Sequence, residues 1–434
     1  MSGVIPIEQL NYFNWLQARF NSSLVFCKHH NKIKLTSNFR QYSLITANYW
    51  AFTLTDGALR MLVVLYFHQL GYSPLEIAML FLFYEFFGVV TNLVGGWLGS
   101  VWGLNRTMQL GLGLQIIALS MLLVDESFLT IFWVMAAQAI SGIAKDLNKM
   151  SAKSSVKLLI DDSKQDQLYR WVAILTGSKN TLKGVGFFLG AFLLTWLGFS
   201  GAVLAMMTAL IIVWLISVFA LKSDIGKSLH KPKFTQIFSK SSAINWLSAA
   251  RLCLFAARDV WFVVALPVFL SSQLSWSHWQ VGGFLACWII LYGFVQGFAP
   301  KITGSATSSK GSKKARIWCL ALSLIPIGIA AGLFFTADSY FTLSIILFIG
   351  LAIFGFLFAV NSSLHSYLIL QFSKSDQVST DVGFYYMANA SGRLFGTVLS
   401  GLVFQLSGFI ACLIISSFLL LLSAFFVRNI KALA

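Results

Sequence analysis

The chain has 434 residues, of which 57% are hydrophobic and 11% charged, and it carries a formal net charge of +16. A soluble chain carries about 25% charged residues, so this composition excludes a soluble globular protein, and the positive balance marks a membrane side rather than a nucleic-acid partner. The five cysteines, Cys27, Cys253, Cys287, Cys319 and Cys412, include no C-x-x-C pair, which argues against a disulfide framework or a zinc site.

Residues 1–40 form a polar tail without the apolar core of 7–15 residues that a cleavable signal peptide needs. Its segment "IPIEQLNYFNWLQARF" fits either a short interfacial helix or an unstructured tail. The cluster Cys27-Lys28-His29-His30 lacks a fourth ligand and reads as solvated. From there on, long apolar runs recur at about 43–68, 75–98, 107–124, 129–146, 168–196, 199–221, 244–270, 279–298, 316–335, 341–369, 382–406 and 409–427. Runs near 20 residues predict transmembrane helices, and the segments of alternating polarity that a membrane β-barrel requires are absent. The prediction is an all-α polytopic membrane protein with twelve transmembrane helices.

Several of these spans carry features of their own. The first holds Asp56 and Arg60, which share a helix face at a spacing of four and are expected to pair. The second holds Glu85, with no basic residue within one turn. It is followed by "GGWLGSVWGLNRT", which resembles the loop signature G-x-L-x-D-x-x-G-x-x-[RK] of the major facilitator superfamily. Gly96, Leu98, Gly103 and Arg106 match, while Ser100 stands in the aspartate position, so the usual charge pairing of this gating loop is absent or rebuilt. The fifth span reads "TGSKNTLKGVGFFLGAF". Lys179 and Lys183 lie four apart with no acid at i±3 or i±4, and Gly186 and Gly190 continue the stripe, where a neighbouring helix can approach. The seventh span holds Arg251, Arg258 and Asp259, and the eleventh holds Asn389 and Arg393 with Tyr385 and Tyr386 nearby.

The links "GYSP", "DESF", "GFS", "SSQLSWSH" and "TADSY" lack Lys and Arg. The opposite links, such as "KMSAKSSVKLLIDDSKQDQLYR" and "KITGSATSSKGSKKAR", are basic. The basic side, with both termini, is therefore expected in the cytoplasm, in a plasma (inner) membrane. The polar stretch 222–243 divides the chain into a six-helix half at 41–221 and another at 244–434. Two such halves around a midplane site are the plan of the major facilitator superfamily.

Six basic residues fall within spans: Arg60, Lys179, Lys183, Arg251, Arg258 and Arg393. Asp56, Glu85 and Asp259 lie comparably deep, which leaves an excess of three positive charges. Each unpaired Arg or Lys at the bilayer centre costs about 2.5–3.5 kcal/mol on the lenient scale, so these groups must face carboxylates, water or a ligand. Structural pairing, for Asp56 and Arg60 among others, and snorkelling of Lys179 and Lys183 toward the cytoplasm are the alternatives to substrate contact. The excess itself suits a multivalent anion, gripped by arginine forks and lysine point charges, and disfavours a cationic drug. The candidate substrate-binding set is Arg60, Lys179, Lys183, Arg251, Arg258, Asn389 and Arg393. Asp56, Glu85 and Asp259 are candidates for charge pairing or for carrying a coupling proton, Glu85 first.

The stretches "NYWAFTLTDGALRMLVVLYFHQLGYSPLEIAMLFLFYEFFGVVTNLVGGWLG", "SGIAKDLNKMSAKSSVKLL", "YRWVAILTGSKNTLKGVGFFLG" and "AINWLSAARLCLFAARDVWFVVALPVF" closely resemble the ArsJ-type organoarsenical efflux permeases of the major facilitator superfamily. The resemblance covers about residues 40–430; residues 1–39 have no counterpart in it. It implies export of 1-arseno-3-phosphoglycerate, made when glyceraldehyde-3-phosphate dehydrogenase accepts arsenate in place of phosphate. That enzyme would be a functional partner, and the unstable ester would return arsenate outside the cell. An organophosphate–phosphate exchanger would use the same cations, and a multidrug exporter is the less favoured transporter reading. No H-E-x-x-H or G-x-S-x-G motif points to a membrane enzyme, no cofactor is expected, and a receptor or scaffold would not need uncompensated charge at depth.

Overall fold

The computed structural model describes residues 38–67, 69–72, 80–161, 163–221, 225–227, 238, 240–304, 308–335 and 340–430. The tail thus lies outside the described residues except for 38–40, which already belong to the first helix, and most of 222–239 lies outside them as well. The described helices are α1 (Asn38–Phe67), α2 (Leu82–Trp102), α3 (Leu104–Met121), α4 (Ile131–Leu159), α5 (Gln165–Ala220), α6 (Ser242–Phe262), α7 (Ala265–Gln273), α8 (His278–Thr303), α9 (Ser308–Phe335), α10 (Tyr340–Phe372) and α11 (Val378–Arg428). Short polar side chains set several starts: Thr130, Ser241 and Ser277 accept the backbone N–H groups of Trp133, Ile244 and Gln280, satisfying donors that the first turn leaves free.

Among the described residues, seven helical stretches are long and apolar enough to cross a membrane, α6 and α7 counting as one. Two of these, α5 with 56 residues and α11 with 51, far exceed the roughly 20 residues that one crossing needs. Each breaks at a glycine, Gly198 (φ 68°, ψ −177°) and Gly408 (φ 76°, ψ −174°), in a region of backbone space closed to other residues. Contacts along α1 show that α5 doubles back there. Trp171 stacks on Tyr42, Gly190 meets Ala58 and Phe199 stacks on Tyr66, then Ser217 returns to Asn48. α11 does the same along α6 and α7: Gly392 meets Leu252, Ser400 accepts from the backbone of Ala265, Phe409 stacks on Phe269, and Ser423 returns to Ala250. With α2, α3 and α4 packed among them, the helices are consistent with the twelve crossings read from the sequence.

Two differences from the sequence reading bear on the packing and the charges. The expected span 244–270 is broken between α6 and α7. Pro267 explains the break, because its ring excludes the carbonyl four residues earlier, at Val263; Ser400 Oγ accepts the N–H groups of Val264 and Ala265 at 3.3 and 3.1 Å. The fourth span does not end at 146 but continues as α4 to Leu159. Lys149, Lys153 and Lys157, read from sequence as part of a basic link, are therefore helical, and Lys153 and Lys157 are buried.

Three apolar cores hold the bundle together. One gathers residues from both halves of the chain, among them Tyr42, Val156 and Tyr169 with Ile244, Tyr367, Val378 and Ile430. Because Tyr42 and Ile430 lie near the two ends of the described chain, this shared core marks the side that carries both ends. The other two cores are separate. One is built only from residues 52–210 and the other only from residues 254–424. The two halves therefore close on each other at the side of the chain ends. Glycines set the closest approaches there: a Cβ on Gly96 would lie 2.8 Å from the Ser379 carbonyl oxygen and 2.9 Å from Gly383 Cα, and one on Gly177 would lie 2.5 Å from the Gly293 oxygen.

Within the first half, α1 packs on α5 at the same kind of contact. A Cβ on Gly190 would stand 2.2 Å from the Ala58 carbonyl oxygen, while one on Gly113 meets nothing within 4 Å. Gly190→Ala is therefore expected to destabilise the protein by about 1–3 kcal/mol through overpacking. Gly113→Ala, in the same assay, should be neutral or slightly stabilising. Thermal unfolding of the detergent-purified variants measures the difference.

Candidate substrate site between the two halves of the chain

The glycine contacts also register the two halves against each other. Gly190 of α5 meets Ala58 of α1, and Gly396 of α11 meets Ala256 of α6. Arg60 and Arg258 each lie two residues beyond those alanines, so they occupy equivalent places in the two halves, as parallel repeats require. Between them runs a chain of alternating charge. Arg60 Nη2 donates to Glu85 Oε1 at 3.1 Å, and Arg393 Nη2 donates to the same oxygen at 3.2 Å. Arg393 Nε reaches Asp259 Oδ2 at 3.4 Å. Arg258 closes the chain through Nε and Nη2 to Asp259 Oδ1, at 2.6 and 2.5 Å. Three guanidinium groups thus share two carboxylates across α1, α2, α6 and α11.

The chain is accessible from Arg60 to Arg393 and buried at Asp259. The side chains of Arg60, Glu85 and Arg393 are 26%, 30% and 31% exposed, whereas that of Asp259 is 1% exposed. Arg60 lies over the rings of Phe81 and Tyr84 at 5.0 and 4.7 Å, and Arg258 over Phe255 at 4.9 Å. Aromatic faces hold cations without neutralising them. These arginines therefore keep donors for an incoming anion.

Lys179 and Lys183 add positive charge without an ion pair of their own among the described residues. Lys183 stands within electrostatic reach of Arg60, Asp56, Lys179 and Arg393. Lys179 is likewise within reach of Lys145, Lys149, Lys153 and Arg393. Among the described residues, neither Lys179 nor Lys183 has a carboxylate within 4.0 Å. Gly186 explains how Lys183 comes so close to α1: a Cβ there would lie 2.6 Å from the Leu54 carbonyl oxygen.

The structure corrects two expectations from sequence, the pairing of Asp56 with Arg60 and the availability of Arg251 and Asn389. Asp56 does not pair with Arg60. Its Oδ1 accepts the Tyr84 hydroxyl at 2.6 Å and is buried, while the longer arginine side chain reaches across to α2. Glu85, isolated on its own helix, is instead the carboxylate shared by two arginines from other helices. Arg251 and Asn389 are withdrawn from the accessible space. Arg251 is 3% exposed, donates to Asn389 Oδ1 at 2.8 Å and to the Ser362 carbonyl and hydroxyl at 3.1 Å, and ties α6, α10 and α11 together. Arg106 is exposed and forms no ion pair among the described residues. Between α2 and α3, Gly103 (φ 95°) turns the chain, Ser100 binds back to the Trp97 carbonyl, and Ser379 Oγ of the other half donates to the Gly96 carbonyl at 2.6 Å.

Sequence reasoning missed the lysine-bearing continuation of α4 beyond 146. Lys145, Lys149, Lys153 and Lys157 recur every four residues, so they lie along one helix face. Lys145 lies 3.7 Å from the Tyr84 ring centre. Asp146 pairs with Lys145 at 3.7 Å and with Lys149. Lys153 Nζ donates to the Tyr386 hydroxyl at 2.6 Å. The four-residue spacing was the available signal; the polarity of the stretch concealed it.

A membrane bundle in two packed halves, with charged side chains gathered where they meet, has the architecture of a secondary transporter. The sequence matches the Major Facilitator Superfamily over residues 45–315, and the chain belongs to that superfamily. No curated protein matches the sequence. Similar solved structures include the human organic anion transporter MFSD10 (TETRAN), at 17% identity and a TM-score of 0.71 over 90% of this chain and 99% of that one. A variant of the E. coli fucose:proton symporter FucP aligns at 12% identity and 0.69 over 91% and 99%. A bacterial homologue of the iron transporter ferroportin, in an outward-facing state with soaked iron, aligns at 16% and 0.66 over 89% and 98%. At these identities the likeness shows the fold.

Proposed function

We propose that this superfamily transporter exports a multivalent organic anion, 1-arseno-3-phosphoglycerate, and so confers resistance to arsenate. The observation that carries the reading is that Arg60, Arg258 and Arg393 share two carboxylates, with Lys183 and Lys179 within electrostatic reach of them. Such a site matches a molecule with an oxyanion at each end: arginine forks take oxygens in pairs and lysines add point charge. The long stretches resembling ArsJ-type permeases supply the arsenic. In this reading the chain is two six-helix halves, 41–221 and 244–434, joined by 222–243, with the basic side and both termini in the cytoplasm of an inner membrane. Glyceraldehyde-3-phosphate dehydrogenase supplies the substrate without needing to touch the transporter. That MFSD10 is an organic anion transporter is in keeping with the same fold carrying anions.

The test is arsenate resistance in an arsenate-sensitive bacterium expressing this chain with and without the dehydrogenase. Protection that requires both supports the proposal. Protection without the enzyme contradicts the substrate. Exchange of phosphate for phosphoglycerates by vesicles, without arsenic accumulation, would favour the organophosphate exchanger that the same cations allow.

A further inference from the structure

Lys145 of α4 stands within electrostatic reach of Glu85, but Lys149 and Lys153 lie beyond the central charge chain. Lys145 to Lys153 covers about 12 Å along the helix at 1.5 Å per residue. This face runs from the central charge chain toward the side that carries the chain ends. Lys153 is 5% exposed, and among the described residues no carboxylate lies within 4.0 Å of it. Its only close polar partner there is the Tyr386 hydroxyl on α11, in the other half of the chain, at 2.6 Å, and the Tyr386 ring also lies 4.9 Å from both Lys149 and Lys153. A buried ammonium without a counter-ion is costly, and here it is placed in the seam where the halves close. A tyrosine hydroxyl and ring lower that cost without removing the charge.

We infer that the α4 face bearing Lys149 and Lys153 is a second anion site, on the basic side of the protein, for the phosphate-like end of the transported polyanion. It is sealed by Tyr386 when the halves meet and uncovered when they part at that side. The inference rests on the reading of this chain as an exporter of a polyanion. A substrate arriving from the basic side meets Lys153 before Lys149. Lys179, within electrostatic reach of both, then leads to Lys183, Arg60 and Arg393. Closure returns Lys153 to Tyr386 and expels the anion from the outer part of this track toward the centre.

The experiment uses the full-length protein in inverted vesicles, basic face outward, with 1-arseno-3-phosphoglycerate generated in the medium by glyceraldehyde-3-phosphate dehydrogenase, its substrate, NAD and arsenate. Lys153→Gln is expected to raise the half-saturating concentration for arsenic uptake about tenfold, and Lys153→Arg to stay within twofold of the unsubstituted protein. Tyr386→Phe removes the same hydrogen bond but keeps the ammonium, so it alters turnover without raising the half-saturating concentration. Exchange measured from the opposite face should keep its half-saturating concentration in Lys153→Gln. The inference is overturned if Lys153→Gln leaves the basic-face value unchanged, if Tyr386→Phe raises it equally, or if both faces weaken alike, which would make Lys153 a structural latch. Absence of uptake by the unsubstituted protein would overturn the functional reading, and this inference with it.

Discussion

Arg393→Met is expected to reduce polyanion transport by a factor of about 100 or more while leaving the protein folded. Arg393 is the one side chain in the charge chain that reaches both carboxylates, Glu85 from α2 and Asp259 from α6. Hydrogen bonds to charged groups contribute about 1.5–3 kcal/mol each, and a guanidinium gripping an oxyanion makes two. Two such bonds correspond to roughly 3–6 kcal/mol, hence to the expected loss, since each 1.4 kcal/mol is tenfold. Folding should survive because each carboxylate retains a second arginine: Arg60 for Glu85 and Arg258 for Asp259. Arg393→Lys keeps the charge but not the planar fork, and an intermediate loss is expected. Initial rates of arsenic uptake by vesicles, alongside thermal unfolding of the same preparations, check the result.

Glu85→Gln is expected to tighten anion binding about tenfold and to slow net export. Glu85 Oε1 occupies donors of Arg60 and Arg393 at 3.1 and 3.2 Å, the positions an incoming oxyanion would take, so the carboxylate competes with the substrate. Removing its charge removes the competitor. The same change leaves Arg60 without its ion-pair partner in the empty carrier, while Arg393 keeps Asp259, and closing over unpaired charge is costly. Return of the empty carrier should therefore slow, while exchange of one substrate molecule for another persists. Calorimetric binding and a comparison of net efflux with exchange separate these effects. Weaker binding would mean that Glu85 orients the arginines instead of competing. Dependence on a pH gradient retained by Glu85→Gln would reject Glu85 as the carrier of a coupling proton.

The membrane-crossing character, the glycine reversals and the deep charges were legible because they are one-dimensional signals. Apolar runs of bilayer length, "GFS" before the second arm of α5 and the turn near Gly408 need no knowledge of neighbours. The close approach at Gly186 and Gly190 was legible for the same reason. What failed required tertiary information. Asp56 and Arg60 share a face, but Tyr84 from α2 takes the carboxylate and Glu85 takes the guanidinium. Arg251 looked available because nothing in its own helix pairs with it; Ser362 and Asn389, more than 100 residues away, bury it. α4 was cut short because its last turns are rich in lysine and serine. They are tolerated there because Tyr84, Asp146 and Tyr386 receive the ammonium groups, and none of those contacts is visible from hydropathy.

The most direct test is arsenic accumulation by inverted vesicles containing the purified protein, supplied with arsenate and the dehydrogenase system, with phosphoglycerates as competitors. The expected result is saturable accumulation that requires the enzyme, falls with added phosphoglycerate and is lost in Arg393→Met and Lys183→Met. Accumulation indifferent to phosphoglycerate and to both substitutions, or transport of a cationic drug in its place, would contradict a polyanion site built from these side chains.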